Sequence, residues 1–154
     1  MTTKLPMQWV MRLEVEIGPE RHVGRLPEGE RIDYPIIGGS FAGPEIQGDV
    51  LPGGADNFLM RNDGVGVLDA RYRLRSDDGV VIEIHNSGLW VPNEAGQARM
   101  KRGLDPLPAD LYCRCTPVFS APAGRHEWLN RSVFTGSVDY PRPGIVMVTC
   151  FKLI

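Results

Sequence analysis

The residues in this chain whose types could do chemistry are a carboxylate, a phenol and an amide on one face of a predicted sheet: Asp56, Tyr72 and Asn86. A carboxylate that is shielded from water has a raised pKa and can serve as a general base. A neighbouring phenol can return the proton to a developing enolate, and an amide can hold a carbonyl oxygen. These residue types therefore point to proton transfer on a small carbonyl or carboxylate compound.

Two glycine-ended turn sequences determine which residues of this sheet share a face. Asn-Asp-Gly at residues 62–64 and Asp-Asp-Gly at residues 77–79 are each typical of a three-residue hairpin loop with glycine in the left-handed position. A three-residue loop at the second turn pairs Leu74 with Ile82, whereas a two-residue loop would place Leu74 opposite Glu83. Because a one-residue slip moves every side chain to the other face, the pattern favours the three-residue loops.

The same register brings the three residues together. It places Asp56 and Asn86 on either side of the small Ala70, with Tyr72 on the diagonal, so their side chains converge inside a curved sheet. The opposite face is typical of a solvated surface with cross-strand charge pairs. Its members are Asp69, Arg71, Arg73, Arg75, Glu83 and His85.

Two further predicted strands, at residues 112–119 and 128–134, contribute the remaining candidate residues. The predicted catalytic residues are Asp56, Tyr72 and Arg114, and the predicted substrate-binding residues are Asn86, Asn130, Tyr112 and Trp128. Arg114 would clamp negative charge on a ligand, although sheet curvature leaves open which face it occupies. Two structural alternatives stay open: a buried ion pair between Asp56 and Arg114, and capping of backbone amides in the glycine-rich segment by Asp56.

The glycine-rich segment comprises residues 36–57, where six glycines and two prolines interrupt short apolar stretches. Glycine weakens a strand, so these positions predict bulges, bends or close backbone contacts. Such features are expected at the corners of a small barrel. The segment is therefore predicted to form two short strands around a sharp corner.

The N-terminal part of the chain alternates apolar and polar residues. This alternation predicts a strand at residues 8–17, with the odd-numbered residues from Trp9 to Ile17 on its buried face. A polar loop is predicted over residues 18–29, and a strand over residues 31–37 follows, with Pro35 at an edge or bulge.

The remaining elements complete an all-β fold. Residues 92–103 predict one short helix that Asn93 caps, and residues 145–154 predict a largely buried final strand. Several strands, one short helix and no repeats favour a closed or nearly closed antiparallel β-barrel. We expect residues 1–154 to form a single domain.

The composition limits the classes of partner that this protein is expected to bind. A hydrophobic content of 42%, a charged content of 23% and a net charge of −2 with mixed signs are ordinary for a globular domain, and they argue against nucleic acid. No signal peptide and no apolar run approaching roughly 18 residues is visible, so we expect no membrane partner and a cytoplasmic location.

The cysteines and histidines predict no metal site. Cys113 and Cys115 are interpreted as small core residues on one face of a strand. His22, His85 and His126 are scattered, without the ligand spacing that zinc requires. A P-loop, a dinucleotide fingerprint and a Gly-x-Ser-x-Gly motif are also missing, so no cofactor is expected.

Four stretches together resemble domain-of-unknown-function family 3237, which is also called uncharacterised protein family 0311. They are GGSFAGPEIQGDVLPGGADN, DARYRLRSDDG, YCRCTP at residues 112–117 and WLNR at residues 128–131. The resemblance covers nearly the whole chain and implies a compact closed β-barrel, similar to lipocalin-like and allene-oxide-cyclase-like proteins, without implying a reaction. This chain departs at Asn57, where the family usually has an aromatic residue, and at Cys113 and Cys115, where Phe and Thr are expected.

Three functions are consistent with such a barrel, whose lumen is either filled or holds one small ligand. The first is a metal- and nucleotide-independent enzyme acting on a small carbonyl or carboxylate compound by acid–base chemistry: a lyase, isomerase, cyclase or lactone hydrolase. The second is a binding barrel without chemistry, and the third is an assembly module. A homodimer is expected under any of the three.

Overall fold

The chain folds into nine antiparallel strands, seen in a computed structural model that describes residues 3–154. The strands are β1 (Met7–Ile17), β2 (Arg21–Leu26), β3 (Gly29–Ala42), β4 (Gln47–Arg61), β5 (Gly66–Ser76), β6 (Val81–Pro92), β7 (Leu111–Ser120), β8 (Phe134–Arg142) and β9 (Ile145–Leu153). Each strand pairs with its neighbour in the order β1-β9-β8-β7-β6-β5-β4-β3-β2, and a further pairing of β1 with β3 closes the sheet. The predicted closed antiparallel barrel is confirmed, with β2 lying outside the closure.

The predicted hairpin register is also confirmed. Leu74 pairs with Ile82, and Asp56 and Asn86 both pair with Ala70. Both turns end in a glycine with positive φ, 84° at Gly64 and 86° at Gly79. These two turns therefore determine which side chains of β4, β5 and β6 face the interior.

The glycine-rich segment bends two long strands. The β3–β4 ladder breaks its register between Ile36 and Ser40, and the β4–β5 ladder breaks between Leu51 and Ala55. At Gly39, which lies in the first break, an added Cβ would sit 2.1 Å from the carbonyl oxygen of Glu14. The bulges and close backbone contacts predicted for this segment are thus present.

Pro35 lies where β3 changes partner. β3 pairs with β2 as far as Asp33 and with β1 from Ile36 onward. Because proline has no N–H to donate, it fits a point at which the ladder on one side of the strand is interrupted. The predicted edge or bulge position of Pro35 is confirmed.

Two expectations about local structure are wrong. The predicted loop over residues 18–29 contains β2, whose ladder is bulged between His22 and Gly24. This irregularity, with a φ of 123° at Gly24, obscures the alternation. The predicted strand over residues 128–134 is instead a short 3-10 helix, Glu127–Arg131, before β8 begins. Its only buried residue is Leu129, so the segment covers the barrel rather than entering the sheet.

The first strand also differs from strict alternation at one end. A bulge between Trp9 and Met11 makes both Val10 and Met11 face the core, and it leaves Trp9 41% exposed. The alternation holds from Met11 onward, where Leu13 and Val15 are buried. Trp9 therefore does not belong to the buried face on which the sequence placed it.

The predicted helix is confirmed as α1 (Glu94–Lys101). The Asn93 side chain accepts a hydrogen bond from the Gly96 N–H at 2.9 Å, and Gly103 takes a φ of 77° after the helix ends. Proline-containing residues then lead through a 3-10 turn, Pro108–Asp110, into β7. Among residues 3–154, no helix has the length and apolar character needed to cross a bilayer.

The barrel interior is packed at one end and open at the other. Fully or almost fully buried side chains fill the packed half: Met11, Leu13, Leu74, Ile82, Phe119, Leu129 and Cys150. Along the same strands, a few residues further on, the inward side chains no longer meet and instead line a cavity. The boundary between the two halves lies at Tyr72 and Asn86, both of which are buried and line the cavity.

Two glycines with positive φ, Gly39 in the glycine-rich segment and Gly24 on β2, offer a matched pair of substitutions. Gly24→Ala forces an L-residue into a φ of 123° but meets no atom within 4 Å, so it should cost about 1–2 kcal/mol of folding free energy. Gly39→Ala has a similar φ of 130° and also collides with backbone, so it should cost roughly 3 kcal/mol or more. Urea denaturation measures both values. Equal losses would show that the contact between β3 and β1 is looser than described.

Candidate functional site

The open half of the barrel contains a cavity of about 860 Å³. Strands β1, β3–β6, β8 and β9 contribute its wall, and the connector around Pro106 and Pro108 contributes part of its rim. Most of the lining is aliphatic or aromatic, with a few polar groups directed inward, which is the usual make-up of a small-molecule site.

Three of the residues selected from the sequence line this cavity. Asp56 lies on β4, Tyr72 on β5 and Asn86 on β6. Asp56 and Asn86 are separated by Ala70, which pairs with both of them across the strands. The small side chain of Ala70 leaves open space between the carboxylate and the amide.

Asp56 is a carboxylate without a cationic partner among the described residues. Its Oδ1 accepts a hydrogen bond from the Asp69 backbone N–H at 2.9 Å. Burial raises the pKa of Asp56 from 3.8 to about 6, and the hydrogen bond from Asp69 opposes this shift without cancelling it. Asp56 is therefore largely ionised at neutral pH and retains an appreciable affinity for a proton.

Two tyrosines that the sequence reasoning missed accompany Tyr72 in the cavity. Tyr34 on β3 is the direct cross-strand neighbour of Asp56, and Tyr140 lies on β8 with its hydroxyl 3.9 Å from Cys113 Sγ. Burial, followed by the nearby Glu20 carboxylate, raises the pKa of Tyr34 to about 12. Burial also raises the pKa values of Tyr72 and Tyr140, so all three phenols remain protonated donors at neutral pH.

A signal for Tyr34 was present in the sequence. Ile32, Tyr34 and Ile36 alternate along β3, and pairing β3 with β4 across the glycine-rich segment places Tyr34 beside Asp56. The irregular register of that pairing hides the relationship, because the ladder breaks between Ile36 and Ser40. Tyr140 had no comparable signal, since no strand was predicted in its part of the chain.

One wall of the cavity is aromatic. The rings of Tyr34 and Phe58 lie 6.1 Å apart at 77°, and those of Phe58 and Trp90 lie 6.1 Å apart at 87°. These edge-to-face contacts fix the three rings against one another. The result is a rigid apolar surface that begins next to Asp56.

Arg114 and Tyr112 do not join the site. Both project from the outer face of β7, where the Arg114 guanidinium lies 5.2 Å from the centre of the Tyr112 ring and donates to the Cys113 carbonyl oxygen at 2.9 Å. Successive residues of a strand face opposite sides of the sheet, and the inward-facing residues of β7 include Cys113 and Cys115. The buried ion pair between Asp56 and Arg114 is therefore not formed.

Asn130 and Trp128 also lie away from the cavity. Asn130 is exposed and clamps the backbone of Ala121, accepting from its N–H at 2.7 Å and donating to its carbonyl at 2.8 Å. Trp128 packs against Phe134, with 6.1 Å between ring centres. Because this segment is a 3-10 helix rather than a strand, its alternate residues are not delivered to the lumen.

Charged groups other than Asp56 lie towards the rim. The lining includes the Arg142 guanidinium, which is 62% exposed and donates to Glu14 at 2.9 Å, and the His22 side chain, which is 58% exposed. Glu30 and Asp105 add negative charge. No positive side chain of the described residues lies beside Asp56, so the interior favours an uncharged ligand over an anion.

The cysteines lie in the core around the cavity floor. Cys113, Cys115 and Cys150 are free and buried, and burial raises their pKa values, to about 12 for Cys113 and Cys150. Within residues 3–154, no group of three or more His, Cys, Asp or Glu side chains is arranged to hold a metal ion.

The fold and the cavity define a closed antiparallel β-barrel with a carboxylate facing its interior. The family described as "Protein of unknown function (DUF3237)" matches residues 5–153, and this chain belongs to that family. A UPF0311 protein of Rhodopseudomonas palustris is 33% identical over 137 residues, which cover 89% of this chain and 90% of that protein.

Two solved structures show the same fold. A β-barrel-like protein from Acinetobacter baumannii superposes with a TM-score of 0.87 at 26% identity, covering 100% of this chain and 99% of the other. An enzyme from Penicillium herquei superposes with a TM-score of 0.74 at 19% identity, covering 100% and 98%. At that distance the second likeness concerns the fold alone.

The raised pKa of Asp56 predicts how stability depends on pH. Between pH 3.8 and about 6, the folded protein retains a proton that the unfolded chain has released, so the stability that this proton confers is lost as the pH rises. In the Asp56→Asn variant the side chain is uncharged, so folding does not bury a carboxylate at this position. The variant should therefore gain stability relative to wild type by roughly 3 kcal/mol between pH 4 and pH 7.

Chemical denaturation at several pH values tests this expectation. Asp49→Asn, which removes an exposed carboxylate from the same strand, is the matched control. If the stability of Asp56→Asn ran parallel to that of wild type across this pH range, the carboxylate would be better solvated than its position indicates.

Proposed function

We propose that this protein is an enzyme that abstracts a proton from a small, uncharged carbonyl compound, with Asp56 as the general base. The observation that carries the proposal is a part-buried carboxylate without a cationic partner among the described residues, in an open cavity and directly across from a protonated phenol. A pKa of about 6 suits a group that must accept and then release a proton near neutral pH.

In the proposed reaction, the C–H bond next to the carbonyl breaks and its proton passes to the Asp56 carboxylate. The electron pair of that bond moves onto the carbonyl oxygen to form an enolate. Tyr34 or Tyr72 donates a hydrogen bond to this oxygen, where negative charge develops. Return of the proton to a different carbon gives isomerisation, loss of a leaving group gives a lyase, and attack by the enolate within the molecule gives a cyclase.

The proposed chemistry moves a proton and an electron pair within one substrate. It needs no external oxidant, nucleotide or phosphoryl donor, so we propose that the enzyme acts without a cofactor. The same barrel fold occurs in an enzyme from Penicillium herquei, which supports the view that this architecture can accommodate an active site. Hydrolysis of a lactone by base-activated water is a variant of the same proposal.

Ligand binding without chemistry is the second candidate. The volume of about 860 Å³ and the aromatic wall favour it, because they provide a binding surface whether or not Asp56 removes a proton. A non-catalytic assembly role lacks a comparable observation, and the homodimer stays a prediction.

Deuterium exchange separates the two candidates. 2-Tetralone, an uncharged bicyclic ketone with acidic C–H bonds, is incubated with the protein in D₂O, and proton NMR follows the loss of its C1 hydrogens. We expect wild type to accelerate exchange by about tenfold or more over buffer, and Asp56→Asn to return the rate to that of buffer.

The exposed substitution Asp49→Asn should leave the exchange rate at the wild-type value. Exchange by Asp56→Asn at the wild-type rate would remove Asp56 from the role of base. Binding of the ketone without any accelerated exchange would overturn the enzyme proposal and favour the binding barrel.

A further inference from the structure

The amide of Asn86 is left half satisfied at the floor of the cavity. Asn86 is 5% exposed and lies close enough to Cys115 for its side chain to oppose, by hydrogen bonding, the raised pKa of that thiol. Its Oδ1 has no hydrogen-bond partner among the described residues. The acceptor half of the amide is thus unused.

A buried polar atom without a partner is unfavourable. Leaving an acceptor unpaired costs about 1–3 kcal/mol, and most such atoms in folded proteins are paired. Since Asn86 lines the cavity, a ligand can supply the missing donor after a small rotation of the amide. This is the reverse of the role expected from the sequence, in which the amide would donate to a ligand oxygen.

We propose that Asn86 Oδ1 accepts a hydrogen bond from a hydroxyl group of the ligand, and that the substrates are therefore uncharged hydroxy-ketones. The inference rests on the proposed function, because it takes the ketone end of the same molecule to lie at Asp56. It adds a second anchoring point and a chemical requirement that proton abstraction alone does not impose.

The spacing of the two groups suits a ligand with two oxygens at opposite ends. Asp56 and Asn86 lie on strands that flank β5, so their backbones are roughly 10 Å apart. Both residues line the cavity, so the space between them is about the width of a small ring system. The rigid face formed by Phe58 and Trp90 favours a flat ring in that gap.

The charges of the site support an uncharged ligand. Asp56 is negative at neutral pH, and the positive Arg142 is largely exposed at the rim. An anionic ligand would bring a second negative charge into the interior without a counter-ion. A hydroxyl group supplies the donor that Asn86 lacks and carries no charge.

Two matched ketones test the inference: 6-hydroxy-2-tetralone and its methyl ether, 6-methoxy-2-tetralone. Isothermal titration calorimetry measures their dissociation constants with wild type, Asn86→Leu and the control Asn57→Leu, which replaces an asparagine on β4 that does not line the cavity. We expect wild type and Asn57→Leu to bind the hydroxy-ketone about tenfold more tightly than the ether. In Asn86→Leu the two ligands should bind equally.

The leucine keeps the branched shape of the side chain, so a preference that is caused by the size of the methoxy group would survive in it and would overturn the inference. Asn86→Ala, which also removes the acceptor, serves if the leucine disturbs folding. Cys115→Ala should keep the preference, because it removes the neighbouring thiol and leaves Oδ1 in place.

Equal binding of both ketones by wild type would overturn the role of Asn86. It would leave the proposal of proton abstraction intact, because deuterium exchange of the unsubstituted 2-tetralone tests that proposal separately. Tighter binding of 2-naphthoate than of the hydroxy-ketone would overturn the requirement for an uncharged ligand. If no ketone bound and none exchanged, both the inference and the proposed function would fall.

Discussion

The fixed register of β4, β5 and β6 is the constraint on which the interior depends. Side chains in a strand alternate between two faces, so a shift of one residue at either turn would exchange the contents of the barrel for its charged surface. Gly64 and Gly79 prevent that shift by taking a backbone conformation that other residues adopt only with strain. Asp56, Ala70 and Asn86 are neighbours because these two turns have a fixed length.

The packed half of the barrel supplies the stability that the open half, with its cavity, does not. Met11, Leu74 and Ile82 are fully buried and contribute hydrophobic stabilisation that does not depend on the cavity. Above them, Asp56 is partly shielded from water, with one backbone hydrogen bond and no cationic partner among the described residues. A carboxylate held in this way lowers stability, and groups held so are concentrated at functional sites. The fold thus tolerates an unfavourable charge in a place where a reaction needs one.

Most regular elements were predictable from the sequence, whereas strand β8 and the irregular elements were not. The alternation of the other long strands, both hairpins and the cap at Asn93 follow from local rules that each involve a few neighbouring residues. The 3-10 helix that contains Asn130 and the bulged strand β2 do not follow from such local rules, because their conformations depend on tertiary contacts. Asn130 is a clear case: its two hydrogen bonds to Ala121 require a fold that brings together residues on either side of a loop.

The side of the sheet on which a residue falls was predictable only where register was known. For Asp56, Tyr72 and Asn86 two turns supplied it, whereas β7 has no hairpin turn at either end. No turn therefore fixed the register of Arg114. The inward positions of β7 are occupied by Cys113 and Cys115, and the small side chain of Cys115 fits against Gly136.

The position of β2 outside the closed barrel separates the entrance of the cavity from its floor. Residues on β2 and on the turn between β8 and β9 border the opening, whereas Asp56, Tyr72 and Asn86 are held by the closed hydrogen-bond ladder. Substitutions at sites that share no contacts tend to have additive effects. The rim can therefore diverge among relatives, changing which molecules are admitted, while the groups at the floor stay where they are.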